Sequence, residues 1–350
     1  AKERRAATGA EGGLQRAQQQ QPPPQRQQTG AAGNPARARF EGTEEEWEIF
    51  AEEIITPYAD RWWDQGCEAP HIKNFLARIK LKPNARPRAS RPYKQCEYDE
   101  ARLAYRLEEY IAAGQLYRVS PDDTGEWSSP AFIVDKVGDI LGRVVTDYQG
   151  VNAETEDHPG VPADVEDILR HGCHKSHHTL MDMVWGFSQF EMDEETQRYL
   201  TVCTKDGLMR WRYLPFGPKQ GPGICQQFND TVFGDLEATN IYVDDFYTAT
   251  DGFREQIEAL KLVLDRGREH GVQWRLSKCY WNQPKVVVVG FEVSKEGRKP
   301  DPEKVKTLEE WPKPTELADV SSQFAFANYL REFIPDFNDI TRPLKKHQQK

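Results

Sequence analysis

Asp182 sits inside an apolar run, Leu180-Met181-Asp182-Met183-Val184, and Asp244-Asp245 interrupt another, Ile241-Tyr242-Val243-Asp244-Asp245-Phe246. A carboxylate set among apolar residues is costly unless a cation or hydrogen-bond donors answer it. Two carboxylate-bearing elements brought together can hold two Mg²⁺ ions about 3.5–4 Å apart. Mg²⁺ takes a few carboxylates and completes its shell with water and substrate phosphate oxygens, which suits an open site. The chemistry such a pair supports is attack of a hydroxyl on a phosphate, with pyrophosphate as leaving group. An isolated Asp-Asp is equally a common turn dipeptide, because Asp side chains bond their own backbone. The residues around the three acids therefore decide.

The acids need strands to carry them, and the pattern supplies these. Thr179 to Met183 reads as a strand ending in an acid, and Ile241–Val243 with Phe246–Ala249 reads as a hairpin turning at Asp244-Asp245. Earlier strands are predicted at Ala131–Asp135 and Arg143–Asp147, joined by a loop over 136–142. A second hairpin is predicted from Arg198–Thr204 and Met209–Leu214 around Asp206-Gly207. Val286–Val289 reads as an apolar strand. Helical spacing appears over Glu44–Ile55, Tyr98–Gly114, Pro162–His171, Gly221–Phe233, Phe253–Glu269, Asp301–Trp311 and Glu316–Phe333. Hairpins mixed with helices favour an α+β fold over a doubly wound parallel sheet.

The bulk numbers narrow the class. The chain has 350 residues, 38% of them hydrophobic, and a net charge of −10. Residues 1–40 are rich in Ala, Gln, Arg and Pro, including Gln18–Gln21 and Pro22–Pro24, and read as a disordered tail. Seven Lys/Arg against two Glu give that tail +5, leaving −15 for the rest. An acidic body weighs mildly against non-specific nucleic-acid binding, although a basic groove can sit on an acidic protein. The six cysteines form no CxxC pair, which fits a reduced intracellular setting. No apolar run is long enough for a membrane span and no signal-peptide pattern is present. His171-Gly172-Cys173-His174-Lys175-Ser176-His177-His178 invites a zinc reading, but it lacks a second ligand pair and reads better as a solvated loop.

In order along the chain, Trp127-Ser128-Ser129-Pro130-Ala131, Gly142–Tyr148 with Val151-Asn152, Leu180–Phe187, Leu214-Pro215-Phe216-Gly217 through Gln226, Tyr242-Val243-Asp244-Asp245, Ser277-Lys278-Cys279, Val289-Gly290-Phe291 and Phe326–Pro335 can be aligned with one family. From about Pro92 to Phe337 the chain resembles the reverse transcriptases of gypsy-type long-terminal-repeat retrotransposons, relatives of the retroviral enzymes. Departures from the family pattern are Gln149, where Arg is usual, Trp185-Gly186-Phe187 in place of Ser-Gly-Tyr, and Asn240 in the strand before the acids.

The resemblance implies a right-hand polymerase: a lead-in over 41–91, fingers and palm over 92–292, and the start of a thumb or connection over 293–350. It implies RNA- or DNA-templated synthesis from dNTPs on a primer, with two Mg²⁺ ions, replaceable by Mn²⁺, held by Asp182, Asp244 and Asp245. By the same resemblance Arg143 and Lys136 contact the incoming triphosphate. Phe187 blocks a ribose 2′-hydroxyl. Gln226 and Gly217 line the nucleotide and template pocket, Lys278 neutralises or protonates pyrophosphate, and Gly290 lies near the primer grip. The expected setting is intracellular, in cytoplasm or a virus-like particle. The competing expectation is an inactive retroelement relic that keeps the fold and binds nucleic acid at most.

Overall fold

The structure, a computed structural model, describes residues 34–63, 70–120, 122–123, 125–160 and 163–348, with side chains to residue 343. Most of the expected disordered tail, 1–33, lies outside the described residues. Residues 34–40 do not behave as tail. Ala36 and Phe40 are buried, and Phe40 bridges Trp281 in parallel.

The lead-in is more ordered than its composition suggests. Helix α1 (Glu44–Phe50) starts with a capping box, in which the Thr43 hydroxyl accepts from the Glu46 N–H and the Glu46 carboxylate accepts from the Thr43 N–H. It runs on as a π-helical turn, Ala51–Ile55. Trp47, Phe50 and Ile54 face inward, and the Phe50 ring packs 5.2 Å from that of Trp281. Helix α2 (Glu97–Ala112) follows the predicted amphipathic pattern and buries Leu103 and Leu107.

The strands β1 (Leu116–Arg118), β2 (Ser129–Lys136), β3 (Asp139–Thr146), β5 (Val202–Thr204) and β6 (Gly207–Trp211) form one sheet in the order β1-β6-β5-β2-β3. β2 and β5 are parallel and the other neighbours antiparallel. Buried Arg210 of β6 forks onto the Asp123 carboxylate at 2.5 and 3.1 Å, tying the loop after β1 to the sheet. Two short helices, α3 (Gln149–Glu154) and α4 (Val165–Gly172), lead to the second sheet.

That sheet is built of β4 (His177–Asp182), β7 (Thr239–Tyr242), β8 (Asp245–Thr250) and β9 (Tyr280–Gln283), in the order β7-β8-β4-β9, all antiparallel. Helix α5 (Glu194–Tyr199) occupies part of what was predicted as strand from Arg198. Asp193 caps it by accepting from the Thr196 N–H, and only 202–204 remain extended. Helices α6 (Gly221–Phe233) and α7 (Phe253–His270) pack on the sheet. Their Phe228, Val232, Phe233, Ile257, Leu260 and Leu264 meet Phe246 and Trp274 in the main core.

A third, antiparallel sheet joins β10 (Lys285–Val288), β11 (Phe291–Ser294) and β12 (Gly297–Pro300). It shares a smaller core with α4 and Tyr247. Helices α8 (Pro302–Glu310), α9 (Leu317–Tyr329) and α10 (Phe337–Gln348) complete the chain. The α+β expectation holds. Among the described residues no helix is long and apolar enough to cross a membrane.

The histidine-rich segment is not the solvated loop it was expected to be. His177 and His178 belong to β4, and His178 is fully buried with Nδ1 2.8 Å from the Tyr247 hydroxyl and Nε2 facing the Lys175 carbonyl. Burial lowers the His178 pKa to about 4, so the ring is neutral in ordinary buffers.

Candidate active site

Antiparallel register between β4 and β8 places Asp182 opposite Asp245. Between β7 and β8 the chain turns through Val243 and Asp244, since Tyr242 pairs with Asp245. The three acids therefore come to one end of the four-stranded sheet. Val243 takes a φ of +59°, a left-handed conformation that a β-branched residue rarely adopts. It persists because its carbonyl is held from behind: Asn229 Nδ2 donates to it at 3.0 Å and Cys225 Sγ at 3.1 Å, both from α6. The Asp244 carbonyl accepts from the Met183 N–H at 3.1 Å, which ties the turn to the end of β4.

The loop after Asp182 is pinned as firmly. Fully buried Gln189 donates to the Val184 and Gln273 carbonyls at 2.7 and 2.9 Å and accepts from the Gln273 N–H. The Arg275 N–H donates to the Asp182 carbonyl. Trp185 and Gly186 both have positive φ. A Cβ on Gly186 would stand 3.0 Å from Asp244 Oδ2, so the loop passes close against that carboxylate.

Burial raises the pKa of Asp244, and the neighbouring Asp182 charge adds to it. Asp245 is pushed up to about 6, by burial first and then by Asp244 and Asp182. Its carboxylate reaches solvent through the cleft mouth, yet the cleft walls around it are protein. Lys278 Nζ stands 3.2 Å from Asp182 Oδ2. Like charges gathered against a low-dielectric wall, with one ammonium for three acids, leave negative charge for a further cation. The donors are all oxygen, as a hard divalent ion requires. Among the described residues no group of three or more His, Cys, Asp or Glu side chains is gathered closely enough to hold a metal ion without side-chain movement.

Two cavities flank the acids. One, of about 340 Å³, is lined by Arg143, Thr146, Trp185, Ser188, Phe216 and Gly217 among others. The other, also about 340 Å³, is lined by Arg39, Met181, Asp182, Asp245, Lys278 and Tyr280, with Val287–Val289 closing it.

The expected site residues divide accordingly. Arg143 and Gly217 line the first cavity, and Asp182, Asp245 and Lys278 the second. Phe187 is buried directly behind the first cavity, its ring 5.1 Å from that of exposed Phe216. Lys136 lies away from both, exposed at the tip of the β2–β3 hairpin opposite Asp139. Gln226 is buried, with Nε2 donating to Asp230 at 2.7 Å and Oε1 accepting from the Ala163 N–H. Both ends of its amide are thus taken internally. Gly290 sits in the β10–β11 turn with φ +80°, against Lys304 and Tyr329.

Some residues carried no site role in the sequence reading. Trp185 forms a wall of the first cavity, its ring 5.0 Å from that of Trp63, over which the Arg275 guanidinium lies at 5.1 Å. Asn152 clamps the Gly217 loop, donating to the Gly217 carbonyl at 3.0 Å and accepting from the Lys219 N–H at 2.8 Å. Asn229 and Cys225, four apart on one helix face, could have been paired by helical spacing. Gln189 carried no such signal.

Residues 140–293 match the family model for "Reverse transcriptase (RNA-dependent DNA polymerase)". The chain is similar to the retrovirus-related Pol polyprotein from transposon 297 of Drosophila melanogaster, 27% identical over 278 residues, covering 77% of this chain and 26% of that protein. It is similar also to the Pol polyprotein from transposon gypsy of the same organism, 30% identical over 226 residues, covering 62% and 22%. The chain thus spans about a quarter of the length of these curated relatives. Among solved structures, the foamy viral protease-reverse transcriptase in complex with double-stranded DNA matches with a TM-score of 0.80 over 93% of this chain and 57% of that one, at 20% identity. The same viral protein in complex with an RNA/DNA hybrid matches with a TM-score of 0.78, over 93% and 44%, also at 20% identity. That likeness is one of fold.

Proposed function

We propose that the chain, matched over residues 140–293 by the reverse transcriptase model and similar to the Pol polyproteins of gypsy and other transposons, is the RNA-directed DNA polymerase segment of such a polyprotein. The observation that carries this is the meeting of Asp182, Asp244 and Asp245 at one sheet end, with Asp244 and Asp245 raised first by burial and then by neighbouring acids, Asp182 in both cases. In this reading the five-stranded sheet is the fingers and the four-stranded sheet the palm. A palm boundary at 292/293 would fall inside β11, so the break toward the thumb-like helices belongs after β12.

Asp182, Asp244 and Asp245 would hold the two Mg²⁺ ions, or Mn²⁺ in their place. Such ions, when bound, lower the pKa of a primer 3′-hydroxyl and offset charge on the leaving pyrophosphate. The remaining work falls to the protein. Gln189, Asn229 and Cys225 fix the backbone that carries the acids before substrate arrives, leaving only the carboxylate side chains to adjust. Arg143 presents a planar fork to triphosphate oxygens in the first cavity. Phe187, with Phe216 over it, walls the position of the sugar 2′-carbon. Lys278 neutralises the Asp182 side of the cleft; it lines the cavity that Arg143 does not, so it would reach the leaving pyrophosphate only across the acids. Lys136 would reach the triphosphate only if the hairpin tip closed over the cavity. Gln226 would shape the pocket through α6 rather than by contact. RNA or DNA template with primer, and dNTPs, are the implied partners.

The test is dTTP incorporation on poly(rA)/oligo(dT) with Mg²⁺, comparing the wild-type chain with Asp244→Asn. Incorporation by wild type and a loss of at least about a thousandfold in the variant is expected. A wild type that folds but incorporates nothing would favour the fold-retaining relic, and equal rates would reject the site.

A further inference from the structure

Arg39 precedes the run of sequence motifs that begins near Pro92, in a segment whose composition predicts disorder, yet it lines the same cavity as Asp182 and Asp245. Three contacts put it there. Its own carbonyl accepts from Gln283 Nε2 at 3.0 Å, the Glu41 N–H donates to the Trp281 carbonyl at 3.2 Å, and Asn282 Nδ2 donates to the Glu41 carbonyl at 2.7 Å. Residues 39–41 are thereby laid along the free edge of β9. The guanidinium lies over the Tyr280 ring, 4.6 Å from its centroid, a geometry that fixes the plane of the fork. Its polar contact is Nη1 to the Lys278 carbonyl at 3.5 Å, the limit of a hydrogen bond. Among the described residues no carboxylate is within ion-pair distance of it.

The contrast with Arg37 two residues earlier is instructive. Arg37 is committed, bonded to Glu44 at 2.9 Å and placed 5.4 Å from the Trp47 ring. Lys278, the other cation of the cavity, is committed to Asp182. Arg39 therefore keeps most of its donors unfilled while facing an open, partly apolar cleft that ends at the candidate catalytic acids. A stacked arginine with an open fork is built for an oxyanion with several oxygens, a phosphate above all.

We propose that Arg39, held flat by Tyr280, binds a backbone phosphate of the primer strand next to its 3′ end. The inference rests on the polymerase reading. A 3′-hydroxyl delivered to Asp182 and Asp245 brings the 5′-phosphate of the same nucleotide with it, into the cavity that Arg39 and Tyr280 wall. Val287–Val289, the end of β10 and its turn, close the opposite side. Arg39 is thus a positioning residue for the primer, and the nucleotide cavity containing Arg143 is a separate one.

The experiment uses the full 350-residue chain and a fluorescein-labelled DNA primer annealed to an RNA template. Binding is read by anisotropy without dNTP or divalent ion, across a salt series, and incorporation kinetics are then measured in both substrates. Arg39→Ala is expected to weaken hybrid binding and raise KM for the hybrid about tenfold, flatten the salt slope by about one, and leave KM for dTTP within about twofold. Arg39→Lys should recover part of the affinity and Tyr280→Leu should lose part of it. Arg37→Ala should bind as wild type. Unchanged hybrid affinity in Arg39→Ala, an equal loss in Arg37→Ala, or an effect confined to KM for dTTP each overturns the proposal. The last result would make Arg39 a triphosphate contact. A wild type that binds the hybrid through Arg39 yet incorporates nothing rejects the polymerase reading alone. A wild type that binds no hybrid rejects both.

Discussion

Asn229 donates its side-chain amide to the carbonyl of Val243, the residue whose left-handed backbone turns the chain into Asp244. The bond crosses from helix to hairpin and holds a conformation that Val would not keep unaided. Replacing Asn229 by Ala leaves that carbonyl with Cys225 Sγ, a weak donor. The expected cost is about 1–2 kcal/mol of stability by urea unfolding. Incorporation is expected to fall by more than the unfolded fraction explains, because the Asp244 carboxylate loses its fixed direction. A variant that loses stability yet keeps full turnover would show that the turn needs no such brace.

Asp245 makes a prediction about pH. Its folded pKa, about 6, lies above the ordinary value of 3.8, so the folded protein binds this proton more tightly than the unfolded chain does. Its effect on stability is therefore most favourable below about pH 4 and declines as pH rises to about 6. Allowing for the solvent that reaches the carboxylate, the decline is about 1 kcal/mol. Asp245→Asn should melt about 2 °C above wild type at pH 7.5 and level with it at pH 4. Added Mg²⁺ should raise the wild-type melting temperature more than that of the variant. Melting curves that differ equally at both pH values would exclude this origin.

The pair Phe187 and Phe216 bears on sugar selection. Phe187→Val opens the wall behind the first cavity, and Phe216→Ala uncovers it from the solvent side. Both changes are expected to raise the ratio of UTP to dTTP incorporation, the first by at least about tenfold, since a lost steric wall is worth a few kcal/mol. The kcat/KM ratio for the two nucleotides decides. If neither variant moves it, the aromatic pair is core packing only.

Gly290 carries the third sheet against helix α9. At φ +80°, an added Cβ would lie 2.1 Å from Lys304 Nζ and 2.5 Å from the Tyr329 hydroxyl, which donates to the Val289 carbonyl. Lys304 can swing aside, but Tyr329 is stacked on Phe291 and bonded to the turn. Gly290→Ala should cost about 1–2 kcal/mol. It should also raise KM for the primer–template while KM for dTTP stays put. Primer-extension kinetics at varied hybrid concentration measure it.

How much of this was legible in the sequence follows from which forces act locally. The Glu97–Ala112 helix and both hairpins were readable because spacing or turn chemistry states them directly, although the turns fall one residue earlier than expected, at Lys205-Asp206 and Val243-Asp244. Helix Glu194–Tyr199 was missed although Asp193 is a good cap, because apolar alternation downstream suggested strand. β9 was missed because Asn282 and Gln283 look like loop residues, yet their amides serve the segment beside them. His178 looked like surface until β4 proved to begin earlier and to set it under Tyr247. The acids themselves were legible, while the supports that aim them, Gln189 and Asn229, act across 84 and 14 residues. Contacts of that kind leave no periodic trace.

The strip formed by residues 39–41 along β9 bears on how a recombinant version should be cut. Trimming to where family resemblance begins, near Pro92, would discard this strip together with the Phe40, Trp47 and Phe50 rings that cover Trp281. The sheet would then end in an open row of backbone donors and acceptors beside an uncovered indole, an invitation to associate edge to edge. A soluble, monodisperse preparation is therefore expected from a start at or before Asn34. Insolubility of a fragment beginning at Pro92 would say nothing about whether the polymerase segment itself can fold.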